Sequence, residues 1–159
     1  MKAVIQRVKN ASVTVEGQIT GSVKRGLLVY LGVAADDTEK DAAWMADKTA
    51  NLRIFEDAPG INSGGKMNLS IKDLGPEEKA GILAVSQFTL LGDAVKGRRP
   101  YYGAAAESGK AETLYKHFME KIKEQGLVCE SGIFQARMDV SYTNDGPVTI
   151  LLDSQERGK

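Results

Sequence analysis

The stretch FQARMDVSYTNDGPVTILLD, residues 134–153, predicts a long β-strand that is interrupted in its second half. Apolar and polar residues alternate on both sides of the interruption, which is the pair Gly146-Pro147. Proline offers no N–H to a neighbouring strand and fixes its own φ angle, so it is rare inside a sheet. Only about 5–6% of X-Pro bonds are cis, and the sequence alone therefore predicts a trans proline on an edge strand.

The rest of the chain contains further strand patterns. Residues 11–17, ASVTVEG, alternate between valine and hydroxyl side chains, and residues 26–33, GLLVYLGV, form a continuous apolar run. Such patterns are typical of half-buried and fully buried strands. Three more segments predict strands: LRIFE at 52–56, GILAVSQFTLLGD at 81–93 and LVCES at 127–131.

Two segments have the period of an amphipathic helix. In the first, Thr38 and Asp41 have the spacing of a capping box, and the helix is expected to end near Asn51. The second is expected to end before Gly126, and its apolar stripe consists of Leu114, Tyr115, Phe118, Met119 and Ile122. About eight strands and two helices predict one α+β domain over residues 1–159, with a mostly antiparallel sheet and helices on one face.

The overall charge excludes a strong general attraction to nucleic acids or membranes. The chain has 21 basic and 21 acidic side chains, so its formal net charge is zero. A local basic patch remains open, and residues 96–102, KGRRPYY, are the best candidate for it. The alternative for this segment is an ordinary solvated loop.

The apolar segments predict a cytoplasmic protein. Residues 1–8, MKAVIQRV, have no apolar core long enough for a signal peptide, and the longest apolar run is about half the length of a membrane span. The single cysteine, Cys129, follows Val128 and is expected to be a small buried apolar residue rather than a nucleophile.

Several familiar kinds of site are excluded. Gly60, Gly65 and Lys66 have the spacing of a phosphate-binding P-loop, but Met67 replaces its magnesium-binding hydroxyl and the following residues alternate like a strand. We therefore expect an ordinary loop there. His117 is the only histidine and has the setting of a surface residue, so neither a zinc site of His and Cys ligands nor a Ser-His-Asp triad is indicated.

Polar residues interrupt one strand that should be apolar. Ser86, Gln87 and Thr89 lie within ILAVSQFTLL, and a buried hydroxyl or amide without a partner costs about 1–3 kcal/mol. These side chains either bond to a neighbouring strand or face a pocket.

Two stretches taken together resemble a known family. SQFT at residues 86–89 and NDGPVT at residues 144–149 are similar to the two signature motifs of the D-aminoacyl-tRNA deacylases, which remove D-amino acids from tRNA. The resemblance extends over nearly the whole chain. It includes AVIQRVKNASVTVEG, GLLVYLGV, LRIFED, GKMNLS, KGRRPYY, LYKHF and GIFQARMDV, in that order.

The resemblance implies a barrel-like fold of the deacylase type, a homodimer, and tRNA as the partner. In such a dimer, the bond between Gly146 and Pro147 is cis, and the pair enters the active site of the other subunit. Their carbonyl groups hold the α-amino group there, while the side chain of an L-amino acid collides with the backbone. D-amino acids and glycine are accepted, which implies hydrolysis of D-aminoacyl-tRNA and of glycyl-tRNA mischarged on tRNA-Ala.

The same resemblance implies which residues form the pocket. Ser86, Gln87, Phe88 and Thr89 would form its catalytic floor. Thr89 could act as a nucleophile or orient water, but without a histidine base its hydroxyl is poorly activated. We therefore favour assistance by the 2′-hydroxyl of the terminal adenosine, with the N–H groups around Phe88 and Thr89 stabilising the oxyanion. No cofactor and no metal are then required.

Three further positions match the family, and one departs from it. Arg7 corresponds to an arginine that braces the Gly-Pro loop, and Phe134 and Met138 correspond to residues near the pocket rim, although plain core packing is the alternative for both. Gln135 replaces a glycine that many members have. The expected protein is thus a chirality-selective ester hydrolase, and the alternative is a non-catalytic tRNA-binding or editing-accessory module.

Overall fold

The computed structural model describes residues 1–57, 65–74 and 79–157. Within these ranges the strands are β1 (Lys2–Val15), β2 (Gln18–Val23), β3 (Gly26–Gly32), β4 (Phe55–Glu56), β5 (Met67–Leu69), β6 (Gly81–Ser86), β7 (Val128–Ser131) and β8 (Asp139–Asp153). The α-helices are α1 (Glu39–Asn51) and α2 (Ser108–Lys123). Short 3₁₀ helices cover Ile71–Asp73, Phe88–Leu91 and Ser154–Glu156.

The main sheet contains both antiparallel and parallel pairs, whereas the sequence predicted a mostly antiparallel sheet. Its order is β2-β1-β3-β6-β7, and β8 pairs with the other edge of β1. Strand β1 is antiparallel to β2, β3 and β8, as predicted, but β3 with β6 and β6 with β7 are parallel pairs. A parallel pair needs a crossover connection, and α1 and α2 lie in these two connections.

The sheet curls at irregularities in β1. The register between β1 and β8 shifts between Gln6 and Val8 and again between Val8 and Asn10, and such bulges bend a strand. The curl brings β2 against β7, where a side chain at Gly21 would collide with the carbonyl oxygen of Ser131. This closure gives the sheet the barrel-like shape that the family resemblance implies.

Two apolar cores lie on opposite faces of the sheet. Leu27 and Val29 of β3 belong to the core beneath the helices, together with Phe118 of α2. Leu28 lies between them in sequence and faces the second core, inside the curl, with Leu83 of β6. Burial on both faces explains why GLLVYLGV is a continuous apolar run.

The two helices confirm the sequence predictions for the start and end of α1 and for the end of α2. The N–H of Thr38 donates to the Asp41 carboxylate at 2.9 Å, as a capping box requires, and α1 ends at Asn51. Helix α2 is followed by Gly126 at a φ of 79°, a conformation that glycine adopts readily. No helix in the described ranges is long and apolar enough to cross a membrane.

Three strand predictions were partly wrong. LRIFE contributes only Phe55–Glu56 to a strand, and the strand predicted over 81–93 ends at Ser86, where a 3₁₀ helix follows. The long terminal strand begins at Asp139 and not at Phe134, as the pattern predicted. Of the P-loop-like segment, Gly60 lies outside the described residues, whereas Met67 opens strand β5 as the alternation predicted.

Candidate active site

An open cavity of about 540 Å³ lies where β6 ends, between the start of α2 and the segment that leads into β8. Fourteen residues line it, and none of them is charged at neutral pH or is a histidine, cysteine or tyrosine. They are Leu31, Val33, Val85, Ser86, Gln87, Phe88, Ala106, Ser108, Ala111, Phe134, Gln135, Ala136, Met138 and Val140. Acid–base catalysis by a titratable side chain is therefore absent from the lining that the described residues provide.

The cavity collects some of the predicted site residues and not others. Five of them line it: Ser86, Gln87, Phe88, Phe134 and Met138. Four are not in the lining of this cavity: Thr89, Arg7, Gly146 and Pro147. Of these four, Thr89 directly follows the pocket residue Phe88, whereas Arg7, Gly146 and Pro147 lie together at another place on the chain.

The SQFT stretch leaves the sheet at the cavity. The Gln87 N–H donates to the carbonyl of Leu31 at 2.8 Å, and the chain then turns into the 3₁₀ helix Phe88–Leu91. At the start of that helix, the N–H groups of Phe88 and Thr89 have no backbone acceptor among the described residues. The polar side chains Ser86 and Gln87 therefore lie where the strand ends at the cavity.

Thr89 is exposed, and its hydroxyl is paired with an amide. The side-chain Nε2 of Gln87 donates to Thr89 Oγ1. An amide donor does not remove the hydroxyl proton, so this contact does not activate Thr89 as a nucleophile. The only histidine of the chain, His117, is on α2 and does not line the cavity.

Aromatic rings support both sides of the cavity. Phe88 is 56% exposed and meets the edge of Tyr102, with the ring centroids 5.1 Å apart. Phe134 packs on Tyr115 at 6.0 Å, and the Tyr115 hydroxyl donates to the carbonyl of Ala84 at 2.8 Å. Burial raises the pKa of Tyr115, so its hydroxyl stays protonated and serves as a structural donor.

Gln135 occupies a position that favours glycine. Its φ is 63°, in the left-handed region, which glycine adopts more readily than a residue with a side chain. Its Nε2 donates to Ser108 Oγ at 2.6 Å and so joins the segment before β8 to the start of α2. Sequence reasoning did not find Ala106, Ser108 or Ala111 as cavity residues, because small side chains at the start of a helix and just before it carry no distinctive pattern.

The Gly146-Pro147 bond is cis, as the resemblance implied and contrary to the expectation from base rates. Both residues are exposed. Gly146 has a φ of 110°, and a Cβ there would lie 2.8 Å from Nη2 of Arg7, so only glycine fits without displacement. Asn144 holds the turn through bonds from Nδ2 to the carbonyls of Arg7 at 2.9 Å and Val148 at 3.2 Å.

Arg7 is buried beneath this turn. Its Nη1 donates to the carbonyl of Ile54 at 2.6 Å, and its Nε lies 3.1 Å from Oδ2 of Asp145. The Nε contact is an ion pair without the alignment of a hydrogen bond. Nη2 is 3.9 Å from a carboxylate oxygen of Glu56. Arg7 thus contacts both Asp145, the residue before Gly146, and the backbone of Ile54, while its role as a brace stays a prediction.

Cys129 confirms the prediction of a buried apolar residue. It belongs to the core beneath the helices, and desolvation raises the pKa of its thiol to about 12. A thiol with that pKa is protonated at neutral pH and is not a nucleophile.

Comparison with known proteins gives matches over almost the whole chain. The family model described as D-Tyr-tRNA(Tyr) deacylase matches residues 4–153. D-aminoacyl-tRNA deacylases of Koribacter versatilis and Thermotoga petrophila are 54% and 53% identical to this chain, and each alignment covers 98% of it and 99% of the relative.

Solved structures show the same fold. The c-Myc DNA Unwinding Element Binding Protein is similar with a TM-score of 0.84 and 41% identity, covering 96% of this chain and 98% of that one. A "probable eukaryotic D-amino acid tRNA deacylase" has a TM-score of 0.78 at 17% identity, covering 95% and 97%. With matches of this extent, the chain belongs to the D-aminoacyl-tRNA deacylase family of hydrolases.

Proposed function

We propose that this protein hydrolyses D-aminoacyl-tRNA in the cavity beside SQFT, and that Gly146-Pro147 of a second copy of the chain closes this cavity as a chirality filter. One observation carries the proposal. The Gly-Pro turn is exposed and held in place by Arg7, yet it does not line the cavity of its own chain. A rigid, exposed turn of this kind is suited to enter the cavity of a partner.

The filter works by steric rejection. The carbonyl groups of Gly146 and Pro147 hold the α-amino group of the substrate, and the side chain of an L-amino acid then runs into the backbone. A D side chain points away from the turn, and glycine has only hydrogen on either side. The protein therefore also hydrolyses glycyl-tRNA mischarged on tRNA-Ala.

Exposed strand surface supports a homodimer. In the described residues β8 pairs only with β1, so the other edge of this 15-residue strand is open. Leu151 of β8 is 74% exposed, and with Val4 and Leu90 it lines a hollow of about 360 Å³ whose lining also includes the charged residues Lys2, Asp153 and Glu156. Long open edges and exposed apolar patches are usually covered, and a second copy of the chain is the occupant that the cross-subunit filter requires.

Catalysis is supplied by the main chain and the substrate. The N–H groups of Phe88 and Thr89, which lack backbone acceptors in the described residues, stabilise the oxyanion. The 2′-hydroxyl of the terminal adenosine assists in attack on the ester. Ser86, Gln87, Phe134 and Met138 shape the pocket, and no cofactor takes part. The partner is tRNA, and the setting is the cytoplasm.

The test is hydrolysis of three esters by the purified protein: D-tyrosyl-tRNA, L-tyrosyl-tRNA and glycyl-tRNA. We expect rapid loss of the D-tyrosyl and glycyl esters and survival of the L ester. If the D ester decays no faster than in buffer, the proposal fails. Protection of the D ester by bound protein would indicate the alternative, a tRNA-binding module without turnover.

A further inference from the structure

A basic loop, residues 93–101, stands next to the cavity and has no role in the reaction described above. Its base is closed by two backbone hydrogen bonds of 2.8 Å between Asp93 and Tyr101. The Asp93 carboxylate accepts the N–H of Val95 at 2.9 Å, and Gly97 allows the chain to reverse at a φ of 83°. The loop therefore has an ordered base and projects its tip from the surface.

The tip carries positive charge without compensation. Lys96, Arg98 and Arg99 are exposed, and none of them forms an ion pair or hydrogen bond with a residue in the described ranges. The carboxylate of Asp93, the one acidic side chain in the loop, already caps Val95. In a chain of zero net charge, three adjacent free cations form a local site for an anionic partner.

The base of the loop is joined to the mouth of the cavity. Tyr102 follows the loop directly and its ring contacts Phe88, which lines the cavity. Gly92, which directly precedes the loop, also lies close to the Tyr102 ring, because a Cβ at Gly92 would be 2.8 Å from that ring. The base of the loop is thus held beside the cavity mouth, and the basic tip projects from this base.

We propose that Lys96, Arg98 and Arg99 bind phosphates of the single-stranded 3′ end of tRNA, on the nucleotides that precede the terminal adenosine. This inference rests on the proposed function, because an aminoacyl-adenosine in the cavity forces the preceding nucleotides out through its mouth. Arginine suits phosphate through its planar pair of donors. The exposed rings of Tyr101 and Phe88 offer stacking surfaces for the bases between.

Binding of uncharged tRNA tests the loop independently of catalysis. Wild type is compared with Arg98→Gln/Arg99→Gln and with the matched control Lys40→Gln/Lys48→Gln, which removes two exposed charges from α1, away from the cavity lining. We expect the loop variant to bind about tenfold more weakly at low salt. The slope of log K against log salt concentration should be less steep by about 1.4, because two contacts to single-strand phosphates are lost. The control should bind as wild type does.

Trimmed tRNA and a minimal ester complete the test. On tRNA lacking its single-stranded 3′ end, the loop variant and wild type should bind equally. The ratio of kcat/KM for D-tyrosyl-tRNA to that for D-tyrosyl-adenosine should fall about tenfold in the loop variant, in line with the loss of binding. Equal binding of intact tRNA by variant and wild type overturns the inference. If wild type binds through the loop but hydrolyses neither ester, the proposed function fails and the loop inference stands.

Discussion

Replacement of Arg7 by Met should separate the brace of the Gly-Pro turn from the rest of the fold. Methionine is unbranched and adaptable, so Arg7→Met removes the charge and the donors while filling much of the same space. The variant loses the bond to the Ile54 carbonyl and the ion pair to Asp145.

The size of the effect follows from the burial of each partner. A hydrogen bond from a charged donor contributes about 1.5–3 kcal/mol. The Asp145 side chain is 23% exposed, so its ion pair contributes about 1 kcal/mol at most, and the Glu56 contact, at 3.9 Å with 41% exposure, contributes close to nothing. Arg7→Met should therefore lower the free energy of unfolding by about 3 kcal/mol.

Urea unfolding measures this loss, and deacylation of D- and L-tyrosyl-tRNA measures its consequence. Because Arg7 fixes the turn, the ratio of D to L hydrolysis should fall by about tenfold or more in the variant. The control Asp145→Asn should lose about 1 kcal/mol and should have little further effect in the Arg7→Met background. A stability loss below about 1 kcal/mol refutes the energetic reasoning, and an unchanged D to L ratio refutes the role as a brace.

Three further predictions concern other parts of the chain. Asp37 is buried, accepts the Ala34 N–H at 2.6 Å and pairs with the Met1 amine. Asp37→Ala should therefore lower the free energy of unfolding in urea by about 3–5 kcal/mol, and a loss under about 1 kcal/mol would contradict this. Thr89→Ala should keep most of the D-tyrosyl-tRNA hydrolysis, whereas loss of a covalent nucleophile costs on the order of 10⁶-fold. Burial raises the pKa of Cys129 from 9.0 to about 12, so the unfolded chain releases this proton first and stability falls as pH rises above 9. Between pH 8 and pH 10, the free energy of unfolding of Cys129→Ala should therefore fall by about 1 kcal/mol less than that of wild type. An identical fall in both proteins would refute the raised pKa of Cys129.

The helices and the buried strands could be predicted because their signals are local. The Thr38 cap, the stripe on α2 and the glycine after it each depend on residues within one or two turns. The parallel pairing of β3, β6 and β7 could not be predicted in this way. It is set by crossovers that bring distant strands together, and an apolar run indicates burial on both faces without identifying the neighbouring strand.

The site shows a similar division. The anomalies at SQFT and Gly146-Pro147 were visible as polar and proline residues where a strand should continue. The end of β6 at Ser86 was missed, because the apolar residues resume at Phe88 and a largely apolar run does not distinguish a strand from a 3₁₀ turn that follows it. The burial of Arg7 was equally hidden, since its partners Ile54 and Asp145 are distant in sequence.

Mixed dimers test the central claim, the filter supplied across subunits, most directly. One chain carries Ala111→Trp, which fills the cavity and leaves the turn intact; the other carries Gly146→Val, which disrupts the turn and leaves the cavity open. Dimers that contain one chain of each kind are purified through two different tags and assayed on D-tyrosyl-tRNA. If the filter acts across subunits, they should regain about half of the wild-type rate, because one of the two symmetric sites is complete. Mixed dimers as inactive as either parent variant would contradict the account.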